Sequence, residues 1–461
     1  MAGNRKGIRR GGIGRGLSVS LAGLRAGGAF ALDGALQKLR GTEGERLDSA
    51  FARREAQRFV AELGRLKGTY VKIGQMMALL GEHFLPPALT EALHSLEAGT
   101  EPLPYASIEP QLRSALGARM GELEIDTRAL AAASLAQVHR ARVRATGEEI
   151  VLKVKYPGLA EVIDDDFDTV VRMLLLARWV KAGRDLDDWL DSMRLQLHRE
   201  IDYAREAELV GEMGRLVAAS NAGSINVRYR VPRLYREFSD GPVLALEYVS
   251  GLRVTRSEVA RLGQARRNAL GKAMLELFLL ELYDWGLLQT DPNFGNYLLS
   301  LSEQGDQLIL LDFGAVIAPA DEFLLHLGNT IAAGMAGDRE VLGSSLVGLG
   351  CLRKDSSAEA RSSFTDFCLG LLEPLTDPAR LPPEHLNERG EYCWGRSQLL
   401  RRMGKQAAGY AATRHFTPPT REFALIARKL TGVFTFIAVL DAQFNAHDLA
   451  RHYIDGWLDG D

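Results

Sequence analysis

The stretch GLLQTDPNFGNYLL, residues 286–299, places Asp291, Asn293 and Asn296 inside an otherwise apolar run. Its flanks, ending at Leu288 and restarting at Tyr297, read as buried helix and strand. The centre reads as a rigid turn, because Pro292 fixes φ and Gly295 admits conformations that other residues avoid. Such a turn holds a carboxylate and a carboxamide five residues apart between buried elements, an arrangement suited to binding. Taken alone, it equally suits a connection whose Asx side chains cap their own backbone. The stretch DQLILLDFGAV (306–316), weak as a motif alone, gains value from Asp291 and Asn296 upstream: Asp312 directly follows a run of buried strand residues, and Gly314 lets the chain turn away. A carboxylate at a strand end is suited to holding a divalent metal.

In protein kinases the catalytic loop carries an Asp and, five residues later, an Asn; the Asp of a DFG motif follows. The first Asp accepts the substrate hydroxyl proton, and the Asn and second Asp share metal coordination. Asp291, Asn296 and Asp312 reproduce that spacing, so the polar island reads as a metal and phosphate site. Upstream, Lys153 in IVLKV is the expected strand lysine, a point charge for the nucleotide's α and β phosphates. Its partner should be an acid on a following helix, and REIDYAREAE offers Glu200, Asp202, Glu206 and Glu208. Asp202 and Glu206 share a face at i, i+4. Sequence alone leaves Glu200 and Glu206 both open as the partner of Lys153. REIDYAREAE reads as the only long helix between the third strand and the buried strand VLALEYVSG (243–251).

The 461 residues carry 56 Lys and Arg against 59 Asp and Glu, a net charge of −3 that argues against a general nucleic-acid binder. The three cysteines, Cys351, Cys368 and Cys393, lack metal-ligand spacing and read as those of a reducing compartment. No segment reaches about 18 uninterrupted apolar residues, the length that a spanning helix needs. Arg5, Lys6, Arg9, Arg10 and Arg15 precede Leu17, Leu21 and Leu24. This basic segment reads as a solvated tail, with an interfacial helix or a transit peptide as the other two readings.

The order along the chain is helices, a small sheet with one long helix, then a larger helical lobe. It predicts a bilobal α+β protein-kinase-like fold whose N-terminal helical extension packs over the active-site cleft. The expected divisions are a basic segment (1–45), a helical extension (46–120), a smaller lobe (121–250) and a helical lobe (251–461). Gly64, Gly68, Lys72 and Gln75 fall at i, i+4, i+8 and i+11, predicting one face of one helix. Two glycines within a helix cost about 1 kcal/mol each relative to Ala. Close packing of that face would compensate, with Lys72 and Gln75 reaching into the cleft.

Two features depart from a protein kinase. AAASLAQVH (131–139) stands where a Gly-rich loop should cover the phosphates, and its methyl groups hold the backbone further away. Beyond Asp312 the chain reaches Pro319 and an apolar helix at once, leaving no room for a peptide platform. With these features the chain resembles the ABC1/ADCK/UbiB family of atypical kinases, whose members support coenzyme Q biosynthesis. The motifs that carry the resemblance are Lys72-Ile73-Gly74-Gln75, Ala131-Ala132-Ala133-Ser134, Glu200-Ile201-Asp202, QTDPNFGN and LDFGA. They run in the family's order from about Gly68 to Val316, and RKLTGVF (428–434) is similar to the family's C-terminal helix. QTDPN is closer to the mitochondrial coenzyme Q branch than to the bacterial form.

The resemblance implies that Lys153 binds nucleotide and pairs with Glu206, and that Glu200 and Asp202 face Lys72. It makes Asp291 the catalytic-loop Asp, with Lys72, Gln75, Glu200 and Asp202 beside it in the catalytic set. Asn296 and Asp312 are the implied magnesium ligands. Ala131, Ala132, Ala133, Ser134, Glu247 and Val249 join Lys153 and Glu206 as expected contacts of ATP or ADP. The expected partners are a nucleotide, a lipid or quinone precursor, a biosynthetic complex and a peripheral membrane surface, with no nucleic acid. The expected compartment is the cytoplasm, at the inner membrane, or the mitochondrion in a eukaryote. Small-molecule phosphotransfer of the aminoglycoside- or choline-kinase kind is the alternative enzyme reading. A nucleotide-gated scaffold for a lipid biosynthetic complex is the non-enzymatic one.

Overall fold

A computed structural model describes residues 50–66, 68–80, 85–97, 101–176, 179–180, 186–221, 227–404 and 420–460. The basic segment at residues 1–45 lies outside them. Two units divide the chain. The first holds the described residues up to Glu208 together with Arg233–Tyr248; the second holds Leu209–Pro232 and Val249 onward.

In the first unit, helices α1 (Ala50–Leu66), α2 (Thr69–Leu80) and α3 (Pro87–His94) lead. Apolar residues four apart, Phe59 with Leu63, Ile73 with Met77 and Leu89 with Leu93, are buried, as an amphipathic helix requires. The single helix expected through Gly64, Gly68, Lys72 and Gln75 is instead two. Gly68 takes φ +62°, in the left-handed region that glycine enters without steric cost, and α2 restarts at Thr69. The close approach is made by Gly74, where an added Cβ would lie 2.4 Å from Leu96 Cδ1.

Helix α4 (Tyr105–Leu116) precedes strands β1 (Leu123–Ala132), β2 (Ala136–Val143) and β3 (Glu149–Lys155). Three helices follow, α5 (Leu159–Leu176), α6 (Leu186–Glu200) and α7 (Tyr203–Ser220), where a single long one was expected. Asp202 breaks REIDYAREAE in two: its Oδ1 accepts the Arg205 amide at 3.0 Å, capping the start of α7. Strand β4 (Val227–Arg230) comes next, and β5 (Val243–Glu247) completes an antiparallel sheet in the order β1-β2-β3-β5. Ile150, Leu152 and Val154 alternate into the core, which leaves Val151, Lys153 and Lys155 on the other face. Sheet and leading helices share one hydrophobic core.

In the second unit, α8 (Gln264–Tyr283) is buried on nearly every side from Leu270 onward. Short strands follow: β6 (Leu288–Gln289), β7 (Tyr297–Ser300), β8 (Asp306–Leu310) and β9 (Val316–Ile317). β4 pairs in parallel with β8, which pairs antiparallel with β7, while β6 pairs with β9. Helices α9 (Asp321–Ala336), α10 (Arg339–Gly348), α11 (Ala358–Leu371), α12 (Arg421–Val439) and α13 (His447–Asp459) complete the unit. No helix of the described residues is long and apolar enough to cross a membrane.

A polar knot ties the 101–104 linker to the sheet. The Gln137 Oε1 accepts the Leu103 amide at 2.8 Å, and its Nε2 donates to the Leu103 carbonyl and to His139 Nε2. His139 Nδ1 donates to the Asp126 carbonyl at 2.8 Å, which leaves Nε2 to accept from Gln137. Gln137 and His139 are both fully buried, so losing the bond between them would leave a desolvated group unpaired. Gln137→Leu removes three bonds and is expected to lower unfolding free energy by about 2–5 kcal/mol, a full penalty at buried His139 and partial ones at part-buried Leu103. Urea denaturation measures it, and a loss no larger than that of an exposed-site control would contradict the reading.

Candidate nucleotide and metal site

The first unit carries a pair of lysine–glutamate contacts. Lys153, set mid-strand opposite Val138 and Leu244, donates to both Glu206 oxygens, at 2.6 and 2.9 Å. Glu206 lies in the first turn of α7 and is almost fully buried. A carboxylate removed from water in this way needs its cation. Lys72 on α2 pairs with Glu200 at 2.6 Å, at the end of α6. The two acids that sequence left open thus go to different lysines. Asp202, expected beside Lys72, caps α7 instead. Gln75, expected to reach into a cleft, donates from Nε2 to the Leu96 carbonyl at 3.0 Å.

Two residues here were missed. Lys155 lies on the same strand face as Lys153, and its Nζ donates to the Ile201 carbonyl. Burial lowers its ammonium's pKa, opposed by Asp202 and Glu206. The ring of Tyr203 lies 5.2 Å from Lys153 Nζ and 4.7 Å from Lys155 Nζ, within cation–π range of both. The K-x-K spacing of a two-residue period was the available signal.

Ala131 and Ala132 end β1, and Ala133 to Leu135 make the turn into β2. The turn is tied from within. The Ala133 amide donates to the Ala136 carbonyl at 2.8 Å, and the Tyr156 amide donates to Leu135 at 3.0 Å. The Tyr156 hydroxyl donates to the Ala133 carbonyl at 3.1 Å; burial pushes its pKa up to about 12, so it stays a donor. Ser134 is half-buried at the tip. At the end of β5, Glu247 accepts the Arg233 amide at 3.2 Å, and Val249, half-buried, opens the second unit's main segment.

In the second unit, the loop between β6 and β7 presents Asp291 and Asn296 together. Asn296 Nδ2 donates to Asp291 Oδ2 at 2.9 Å, and Arg428 Nη2 lies 3.2 Å from Asp291 Oδ1. Asn293 caps the short turn by accepting the Gly295 amide at 2.8 Å. Asp312 follows β8, and its Oδ1 accepts the Gly314 amide at 2.8 Å. Once its NH2 is committed to Asp291, the Asn296 amide presents its oxygen as the remaining ligand atom. An amide oxygen and one carboxylate suit Mg²⁺, which takes few protein ligands and completes its shell with water and phosphate. Among the described residues no cluster of three or more His, Cys, Asp or Glu is placed to hold a metal.

Beneath this loop lies a charge cluster that sequence reading did not assign. Lys429 on α12 is 0% exposed and Glu281 on α8 is 1% exposed, with Nζ and Oε2 at 3.2 Å. Lys429 also donates to Gln289 Oε1 at 2.9 Å and to the Tyr297 hydroxyl at 2.6 Å. Isolated charges in the apolar runs LELFLLELY and RKLTGVFTF were the signal. Burial pushes the Glu281 carboxyl up to about 7 against the pull of Lys429. Burial also opposes charge on Lys429, but Glu281 and Tyr297 outweigh it and raise its pKa.

A carboxyl raised on folding contributes stability below its unfolded pKa, near 4.3, and loses that contribution as pH rises through about 7. Lys429 stays charged across that window. Parent protein should therefore lose stability between pH 5 and pH 8 relative to Glu281→Gln, whose side chain does not titrate. Denaturant midpoints of both proteins at the two pH values check this; a stability difference independent of pH would contradict it.

Residues 95–345, more than half of the chain, match the ABC1 atypical kinase-like domain. The chain is 29% identical over 408 residues to the mitochondrial atypical kinase COQ8 of Schizosaccharomyces pombe, covering 87% of this chain and 63% of that protein. To the Saccharomyces cerevisiae COQ8 it is 25% identical, over 86% of this chain and 75% of the relative. To coq-8 of Caenorhabditis elegans it is 28% identical, over 87% and 51%. The chain thus spans less than two thirds of the fission yeast and nematode relatives. A solved structure titled as the complex of Rv3197 with erythromycin, from Mycobacterium tuberculosis, shares the fold. Its TM-score is 0.60 at 22% identity, covering 92% of this chain and 99% of that one. The chain belongs to the ABC1 atypical kinase-like family.

Proposed function

We propose that the protein is an atypical kinase or ATPase that binds ATP or ADP with Mg²⁺ and supports ubiquinone or related isoprenoid lipid metabolism. The observation that carries this reading is the doubly bonded Lys153–Glu206 pair. A strand lysine held by a helix glutamate is the arrangement that protein kinases use to orient phosphates. Lys153 would contact the nucleotide phosphates, and the turn at Ala131–Ser134 would cover them, with Glu247 and Val249 as further nucleotide contacts. Asn296 and Asp312 would hold the metal. When bound, Mg²⁺ offsets the charge on the transferring phosphoryl group. Asp291, oriented through Asn296, would accept the proton of the attacking hydroxyl or water.

The names of the relatives support the coenzyme Q assignment, since the COQ8 proteins are described as mitochondrial atypical kinases. A lipid or quinone precursor, a biosynthetic complex and a peripheral membrane surface are the partners this reading proposes. Asp312→Asn is expected to abolish the rise in melting temperature that nucleotide with Mg²⁺ produces in the parent. An unchanged rise would overturn the metal assignment.

Peptides are not the proposed acceptor. Helix α9 begins at Asp321, so the chain between Asp312 and that helix holds only β9 and a short turn. Generic protein substrates are expected to remain unlabelled by the parent with radiolabelled ATP, while its own nucleotide turnover is measurable. Robust labelling of casein or histone would refute the exclusion.

A further inference from the structure

Helix α12 holds the loop that carries Asp291 by a single stripe of its surface. Arg428, Gly432 and Phe436 stand at i, i+4 and i+8 and so point the same way. Arg428 meets Asp291 Oδ1 at 3.2 Å. Gly432 lies so near Pro292 that an added Cβ would come within 2.1 Å of the proline Cβ. The Phe436 ring packs edge-on against Phe294 and Tyr297, with centroids 5.8 and 6.1 Å apart. Lys429, one residue around the helix, reaches the loop's two ends through Gln289 and Tyr297. Each turn of the helix therefore touches a successive part of residues 289–297.

We infer that Arg428 is a positioning residue for Asp291, through which α12 sets the orientation of the reacting carboxylate. The inference rests on the reading of Asp291 given above. Asp291 has its Oδ2 engaged by Asn296 and its Oδ1 engaged by Arg428, with the Asn293 amide at 3.3 Å. Both oxygens are thus fixed from two directions, one within the loop and one from α12. A carboxylate has about four lone-pair sites, so these contacts leave capacity for an incoming proton. Arg428 is 28% and Asp291 37% exposed, so the contact is partly wet and adds little to stability. Its consequence lies in orientation. Small misplacement of a reacting group costs up to about a hundredfold in rate.

The test is Mg²⁺-dependent ATP turnover by the full chain, compared among parent, Arg428→Met, Arg428→Lys, Asp291→Asn and the double variant Asp291→Asn/Arg428→Met. Arg428→Met should lower kcat about tenfold or more, with KM for ATP and melting temperature close to parent. Arg428→Lys should recover most of that loss, because the ammonium can reach the same oxygen. In the double variant, turnover should equal that of Asp291→Asn alone. Parent-like or raised kcat in Arg428→Met, with Asp291→Asn impaired, overturns the inference and leaves the reading of Asp291 standing. So does an additional loss in the double variant, which would mean that Arg428 acts by another route. Parent-like turnover in Asp291→Asn overturns the underlying reading itself.

Discussion

An ammonium group sealed from water has to be surrounded by acceptors, and in the second unit that requirement organises everything near Asp291. Lys429 is met by Glu281 from α8, Gln289 from β6 and Tyr297 from β7. Three elements converge on one nitrogen, carried by a fourth. Removing an acceptor would leave a buried charge short of a partner, which costs more than the contact itself is worth. Gln289 and Tyr297 also bracket the loop of Asp291 and Asn296, so the cluster fixes both ends of the loop at once. The loop's polar centre can then be half-exposed and chemically available, because its anchorage is buried elsewhere.

The first unit uses ion pairs differently. Lys72–Glu200 and Lys153–Glu206 draw on two acids only six residues apart, yet these belong to separate helices. What separates them is the break at Ile201–Asp202. Glu200 ends α6, Asp202 caps α7, and Glu206 sits one turn into α7. A continuous helix through this stretch would put Glu200 and Glu206 on faces roughly 120° apart, at 100° per residue over six residues. Two helices allow each acid its own lysine. The buried pair, Lys153–Glu206, lies on the sheet that shares its core with the leading helices.

Much of this was legible in the chain, and the failures have physical reasons. Asp291, Asn296, Asp312 and Lys153 were readable because each sits where an apolar run stops or alternates, a pattern set by burial. The two helix breaks were not. At Gly68 periodicity continued across a residue that adopts left-handed φ, and glycine is silent about which of its conformations it will take. At Asp202 a good capping residue looked like one more acid on a charged helix face. β4, four residues long, was too short for alternation to register, and its pairing with β8 is a long-range choice. Arg428 and Lys429 were visible as part of a similar C-terminal helix, but their contacts with residues some 130 positions earlier depend on the tertiary fold.

The alanine turn differs from a glycine-rich loop in what it could offer to the proposed nucleotide phosphates. A glycine-rich loop presents backbone amides at close range, because nothing projects from its Cα atoms. Here the Ala133 amide is already committed to the Ala136 carbonyl, and Tyr156 grips the turn by its own amide and hydroxyl. Lys155 is spent on the Ile201 carbonyl. The turn is therefore a braced structure with one amide fewer to offer, and in the proposed reading positive charge would carry more of the recognition. Lys153 would supply it, and a flexible ammonium is a point charge without the directional set of donors that a phosphate cradle provides. In the proposed reading, a site built in this way would hold a polyphosphate by attraction more than by shape.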